Sequence, residues 1–219
     1  MSSIEPLQPE EPISTMAIKW QPPSRHNFKI NCDGAVFKET NEAGIGVVVR
    51  NKAGHVMASL VQKVRYPQFV ESIEAWAAKR AVQFVSEIGL KEAEFEGDSK
   101  TIVAALNDPH HCSTHYGLLI ADAKSLARAL DSYCFTHVKR QGNGVAHALA
   151  RMAKHTDILE VWMEDVSPPL RQLYLSDFLF NKITLLFPSK KKKKVFYIFM
   201  LLVISTFFFC PIYLFIYFF

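Results

Sequence analysis

Three carboxylates, Asp33, Glu74 and Asp98, are the residues of this chain whose types could do chemistry together. They stand far apart in sequence, so a fold must gather them. Three gathered acids repel one another unless cations lie between them. Oxygen ligands of this kind suit Mg²⁺ or Mn²⁺, ions that keep part of their water shell and share the rest with substrate phosphates. Two such ions can clamp an in-line displacement at phosphorus, one beside the attacking water and one beside the leaving oxygen. Each acid also has a plainer reading on its own. Asp33-Gly34 is a common turn dipeptide, Asp98-Ser99 is a common helix N-cap, and Glu74 is one polar residue on a helix flank. Taken singly, the residues leave a metal site as one hypothesis among these.

The elements that must position the acids are legible from periodicity. Lys29 to Val36 alternates around Phe28, Ile30 and Cys32, as a half-buried strand does. Ile45–Arg50 and His55–Val64 are β-branched runs joined by the turn Asn51-Lys-Ala-Gly54, which predicts an antiparallel hairpin. Ile73, Trp76, Ala77, Arg80, Ala81, Phe84, Val85 and Ile88 follow helical spacing up to Gly89. Ala93–Gly97 is a short strand, and a helix from Asp98-Ser99 runs to Leu106. A further helix spans about Tyr116–Leu130, Tyr133–Lys139 is a strand, and Val145, Leu149 and Met152 mark the buried side of a last helix. The order β-β-β-α-β-α-α-β-α requires parallel pairing by right-handed crossovers wherever helices separate strands. The expected fold is α/β: a mixed five-stranded sheet flanked by helices. Sites in such sheets form at the carboxyl ends of parallel neighbours.

Several blocks carry a resemblance to a known family. Trp20-Gln-Pro-Pro23, Lys29-Ile-Asn-Cys-Asp-Gly-Ala35, Gly44-Ile-Gly-Val-Val-Val-Arg50, Glu74-Ala-Trp-Ala-Ala78, Glu96-Gly-Asp-Ser-Lys-Thr101 and Asn143-Gly-Val-Ala-His-Ala-Leu-Ala150 resemble, in order, plant ribonuclease H-like domains related to retrotransposons. The resemblance spans about residues 20–155. It implies a type 1 ribonuclease H-like fold and a two-metal-ion endonuclease that hydrolyses the RNA strand of RNA–DNA hybrids. The implied cofactor is Mg²⁺ or Mn²⁺, with Asp33, Glu74 and Asp98 as ligands. The implied catalytic set is Asp33, Glu74, Asp98 and His147, where His147 stands at the family's fourth acidic position. Gly34 and Asn143 are the implied contacts to nucleic acid, Asn143 having an N-cap as its plainer reading and His147 a surface histidine.

Departures from that pattern favour an alternative, a catalytically weak or inactive nucleic-acid-binding module of the same fold. His147 replaces an anionic ligand. The loop before the last helix is cut to Arg140-Gln-Gly142 and lacks the mobile histidine of the classical enzymes. Between Ser99 and Val138 the only cations are Lys100, Lys124 and Arg128, so the basic handle of some relatives is missing and hybrid binding is expected to be weak and salt-dependent.

Composition bounds the rest. The chain has 219 residues, 25 Lys+Arg, 21 Asp+Glu and a formal charge of +4, but Lys190–Lys194 supply five of the cations. Without that run the charge is close to zero, which excludes a uniformly basic coat. The four cysteines, Cys32, Cys112, Cys134 and Cys210, include no CxxC pair, which argues against a disulfide framework or a zinc ribbon. His110-His111-Cys112 with His115 lacks a second cysteine pair as well. Residues 1–27 are expected to be a flexible leader, 28–155 the folded domain, and 156–189 a linker. In 190–219 the lysine run precedes Val195–Phe219, 25 uncharged residues. That length can span a bilayer, and the lysines would keep the domain cytosolic; translated non-coding sequence is the competing reading. A monomer is expected.

Overall fold

The computed structural model describes residues 19–67, 69–110 and 112–186. Its elements run β1 (Phe28–Phe37), β2 (Glu42–Asn51), β3 (Val56–Arg65), α1 (Val70–Glu87), β4 (Glu92–Gly97), α2 (Lys100–Asn107), α3 (Gly117–Ala127), β5 (Ser132–His137), α4 (Gly144–Met152), β6 (Leu159–Met163) and α5 (Arg171–Leu186). One sheet has the order β5-β4-β1-β2-β3-β6. β1, β4 and β5 are parallel, while β2, β3 and β6 add antiparallel to the other side of β1.

The five expected strands form and a sixth joins them. β6 pairs with β3 from Ala58↔Met163 to Gln62↔Leu159. It lies in the stretch read as a linker, as does α5. The reason is burial: Leu159, Val161 and Met163 are exposed on the sheet edge, so the segment lacks the apolar-in, polar-out signature of a covered strand. Residues 19–27 correct the expected leader. Trp20 is fully buried, and the Arg50 guanidinium lies 4.2 Å from its ring centroid. The tail Val195–Phe219 lies outside the described residues. Among the described residues no helix is long and apolar enough to cross a membrane.

β1 is buried on both faces, not one. Ile30 and Cys32 join the core beneath α1, with Ile73, Ala77 and Phe84. On the opposite face stand Lys29, Asn31 and Asp33, all buried, followed by Ala35 and Phe37 packed against Leu149 and Ala150 of α4. The polar residues on that face are satisfied internally. Lys29 Nζ reaches Glu94 at 2.8 Å and Glu96 at 2.7 Å. Asn31 Nδ2 donates to Glu96 at 2.9 Å, and Arg50 donates to Asn31 Oδ1 at 3.4 Å. A buried charge is tolerated when it is paired in this way.

α4 approaches β2 so closely that only glycine fits beneath it. A Cβ on Gly44 would stand 2.1 Å from Ala150 O, and one on Gly46 2.3 Å from Ala146 O. Gly34 is similarly tight against Ile73 of α1, at 2.9 Å. The glycines therefore set how near the two helices that carry Glu74 and His147 come to β1.

Candidate metal centre at the carboxyl ends of the parallel strands

Strand parity brings the first two acids together. β1 and β4 are in parallel register at Asn31↔Glu96. Two residues further along each strand, on the same face, are Asp33 and Asp98. β4 ends at Gly97, and Ser99 Oγ accepts a hydrogen bond from Ile102 N to cap α2, so Asp98 sits at the strand-to-helix corner. The N-cap is thus Ser99, which leaves the Asp98 carboxylate free to face β1. Glu74 enters from the first turns of α1, and the Gly34 amide donates to its carboxylate. Ligand oxygens of Asp33, Glu74 and Asp98 all lie within 4.8 Å of one another.

Burial and mutual repulsion dominate the electrostatics of this trio, and Arg140 offsets part of them. Burial first, then the charges of Glu74 and Asp98, push the Asp33 carboxyl up to about 9. Burial and Asp98 push Glu74 up to about 7. Cys32, beneath them, is held well above the ordinary thiol value by burial and by the same acids, which makes it a core residue and a poor nucleophile.

The start of α4 closes the site. Asn143 is fully buried; its Nδ2 donates to Cys32 O at 3.0 Å and lies 3.4 Å from Asp33 Oδ1. Asn143 stands at the N-cap position of α4, but its side chain makes no cap hydrogen bond; its amide holds β1 in place instead. Asn143 Oδ1 is buried without a hydrogen-bond partner in the structure. His147, one helical turn on, has Nδ1 2.7 Å from Asp33 Oδ2. Burial, Arg140 and Arg151 hold the imidazole below its usual value. Burial thus disfavours charge on both partners of this contact, raising the acid and lowering the imidazole. Of the two readings of His147, the geometry favours the site-facing one.

Arg140 is the residue that sequence reasoning passed over. Its Nη1 donates to Asp98 Oδ2 at 3.1 Å, and its Nη2 lies 3.0 Å from His147 Nδ1. The available signal was its position as a cation in the shortened loop, seven residues before His147. His137 also approaches this corner, with Nε2 3.2 Å from the Asp98 carbonyl. The His110–His115 stretch forms no metal cluster among the described residues; His115 stacks on Phe69 and lies 3.8 Å from Glu71.

A mixed sheet in this strand order, with two acids at the ends of its parallel pair and a third from α1, defines the ribonuclease H-like class of α/β domains. Residues 31–153, more than half of the chain, match the profile of the Reverse transcriptase-like family, and the chain belongs to that family. Among solved structures it is similar to RNase H1 from the halophilic archaeon Halobacterium salinarum NRC-1, at 23% identity and a TM-score of 0.54, covering 59% of this chain and 98% of that one. It is also similar to the N-terminal RNase H domain of a Mycobacterium tuberculosis protein, at 24% identity and a TM-score of 0.52, covering 58% and 93%. At such identities the likeness is one of fold. A comparison with curated proteins gives no match.

Proposed function

We propose that this protein is a divalent-metal-dependent endonuclease that hydrolyses the RNA strand of RNA–DNA hybrids. The observation that carries the reading is the convergence of Asp33, Glu74 and Asp98 oxygens within 4.8 Å, at the strand ends where this fold forms its sites. The donor set fits Mg²⁺ or Mn²⁺: all ligands are hard oxygens, and their charges repel until a cation joins them. Such an ion, when bound, supplies an activated water and a counter-charge for the leaving oxygen.

The chain's own residues do the rest. Asp33, Glu74 and Asp98 would hold the ion. The Gly34 amide orients Glu74, and Asn143 fixes the β1 backbone at Cys32. His147 Nδ1 contacts Asp33 Oδ2 across 2.7 Å and so fixes the orientation of that acid. The end of β1, where Gly34 and Val36 are half-buried, supplies shape recognition. β4 partners β1 only over Lys29–Asn31, so the strand edge beyond Gly34 faces the groove and can meet the 2′-hydroxyls of an RNA strand. Hydrolysis adds water across the P–O3′ bond and leaves a 3′-hydroxyl and a 5′-phosphate. A monomer suffices, because every acid comes from one chain.

A specific observation favours the second reading, a binding module with little turnover. Arg140 already pairs with Asp98 at 3.1 Å and His147 already caps Asp33, so internal partners compete with a metal ion. The two readings separate in one experiment. The full chain is incubated with end-labelled hybrid in Mg²⁺ and in Mn²⁺, beside Asp33→Asn and Asp98→Asn. Cleavage that both substitutions abolish establishes the hydrolase; binding with no cleavage in either ion leaves the module.

A further inference from the structure

A groove leads away from the acids between the end of β1 and α4. Its walls include Phe37 and Ile73 on one side and His147, Arg151 and Lys154 on the other, with Glu74 at its inner end. Residues 143, 147 and 151 recur at steps of four, which puts them on a single helical face, and Lys154 follows in the 3-10 turn Ala153–His155 at the end of α4. The first two touch Asp33. The next two continue that line outward as cations.

These cations are not part of a general positive surface. From Ser132 to Thr156 the chain contains Lys139, Arg140, Arg151 and Lys154 and no Asp or Glu. Over the rest of the chain before the lysine run, acids outnumber bases. Arg151 and Lys154 are exposed, and neither forms an ion pair among the described residues, whereas Arg140 is held by Asp98. Glu39 is the acid on the facing wall. Along the helix axis, Arg151 lies about 6 Å beyond His147, the order of separation between neighbouring phosphates on one strand.

We propose that Arg151 and Lys154 form a phosphate track, binding successive backbone phosphates of the nucleic-acid strand whose scissile phosphate reaches the acids. The track replaces the basic handle that the stretch from Ser99 to Val138 lacks. It rests on the nuclease-fold reading of the site but does not need turnover. It predicts where the strand leaves the centre: along the outer face of α4, past the end of β1.

The test is hybrid binding by the full chain, followed by fluorescence anisotropy in EDTA across a range of KCl concentrations. The variants are Arg151→Ala/Lys154→Ala, the charge-keeping Arg151→Lys/Lys154→Arg, and Lys52→Ala at the opposite end of the strands as control. Each phosphate contact contributes about 0.7–0.9 to the slope of log K against log salt. The alanine pair is expected to flatten that slope by roughly 1.4–1.8, and the other two variants to keep the wild-type slope. An unchanged slope in the alanine pair overturns the track, and so does wild-type protein that binds no hybrid at low salt. Cleavage assayed in parallel keeps the two readings apart. An unchanged slope with hybrid still cut removes the track alone, whereas a flattened slope with no cleavage leaves the track on a binding module.

Discussion

The chemistry of single residues here is dominated by acids crowded together in a buried site. Asp33 is pushed up to about 9 and Glu74 to about 7, both above the ordinary carboxylate range near 4. Between roughly pH 4 and pH 9 the native protein therefore binds more protons than the unfolded chain, so its stability falls as pH rises through that window. Asp33→Asn removes the largest of these penalties. In EDTA its melting temperature is expected to exceed that of the wild type, by an amount that grows from pH 5 to pH 9 and is larger than the 2–4 °C that about 1 kcal/mol produces. A constant difference across that range would sink the assignment of the raised carboxyl to Asp33. Adding Mn²⁺ is expected to raise the wild type and leave the variant nearly unmoved. Arg140 acts in the opposite sense, since its guanidinium occupies one oxygen of Asp98. Arg140→Ala is expected to tighten Mn²⁺ binding several-fold by calorimetry; weaker binding would mean that the arginine organises the site rather than competing for it.

At the level of elements, the site depends on how closely α4 seats against β2. Gly46→Ala places a methyl 2.3 Å from two backbone atoms of α4, and backbone cannot yield as a side-chain tip does. The helix must lift, and it carries both Asn143 and His147. A loss of about 1–3 kcal/mol is expected from overpacking, with hybrid cleavage falling alongside it even at temperatures where the variant stays folded. Stability lost with full cleavage retained would show that α4 tolerates the shift. Most of these elements were legible in the sequence because their apolar periods are regular. α1 is amphipathic from Ile73 to Val85 and stops near Gly89, whose φ is +76°. β1 was legible as a strand but not as a doubly buried one, because Lys29 and Asn31 look solvent-facing until their partners Glu94 and Glu96 arrive from a distant strand. The acids were legible as a set through the family resemblance, and their approach follows from strand parity. The roles of Asn143 and Arg140 were not. Whether an amide caps a helix or grips a neighbouring strand depends on the close seating of α4, which no local pattern encodes.

For the whole molecule, the question is what the chain beyond the family match contributes. The match ends at residue 153, yet β6 extends the sheet and α5 docks at Arg50 of β2 and the turn that follows it. Asp177 on α5 anchors this contact. Its Oδ2 lies 3.5 Å from Arg50 Nη1, with side-chain exposures of 3% and 1%. Lys19 approaches its other oxygen at 3.6 Å, and Trp20 lies over the same guanidinium. Burial pulls Arg50 down to about 10, yet it remains a cation at neutral pH. Removing its partner therefore leaves a charge inside the fold, which generally costs about 3–5 kcal/mol. Asp177→Ala is expected to lose stability on that scale in denaturant melts. Asp177→Asn, which keeps a hydrogen-bond acceptor, is expected to lose less. Replacing both partners by apolar residues, Arg50→Met with Asp177→Leu, is expected to recover most of the loss, because the pair's worth lies in mutual neutralisation rather than in net attraction. A change below about 0.5 kcal/mol for Asp177→Ala, the ordinary range for surface substitutions, would mean that α5 does not seat on Arg50 in solution. α5 would then be dispensable to the nuclease-like core, and a chain cut before it, after Leu170, would fold as well as the whole.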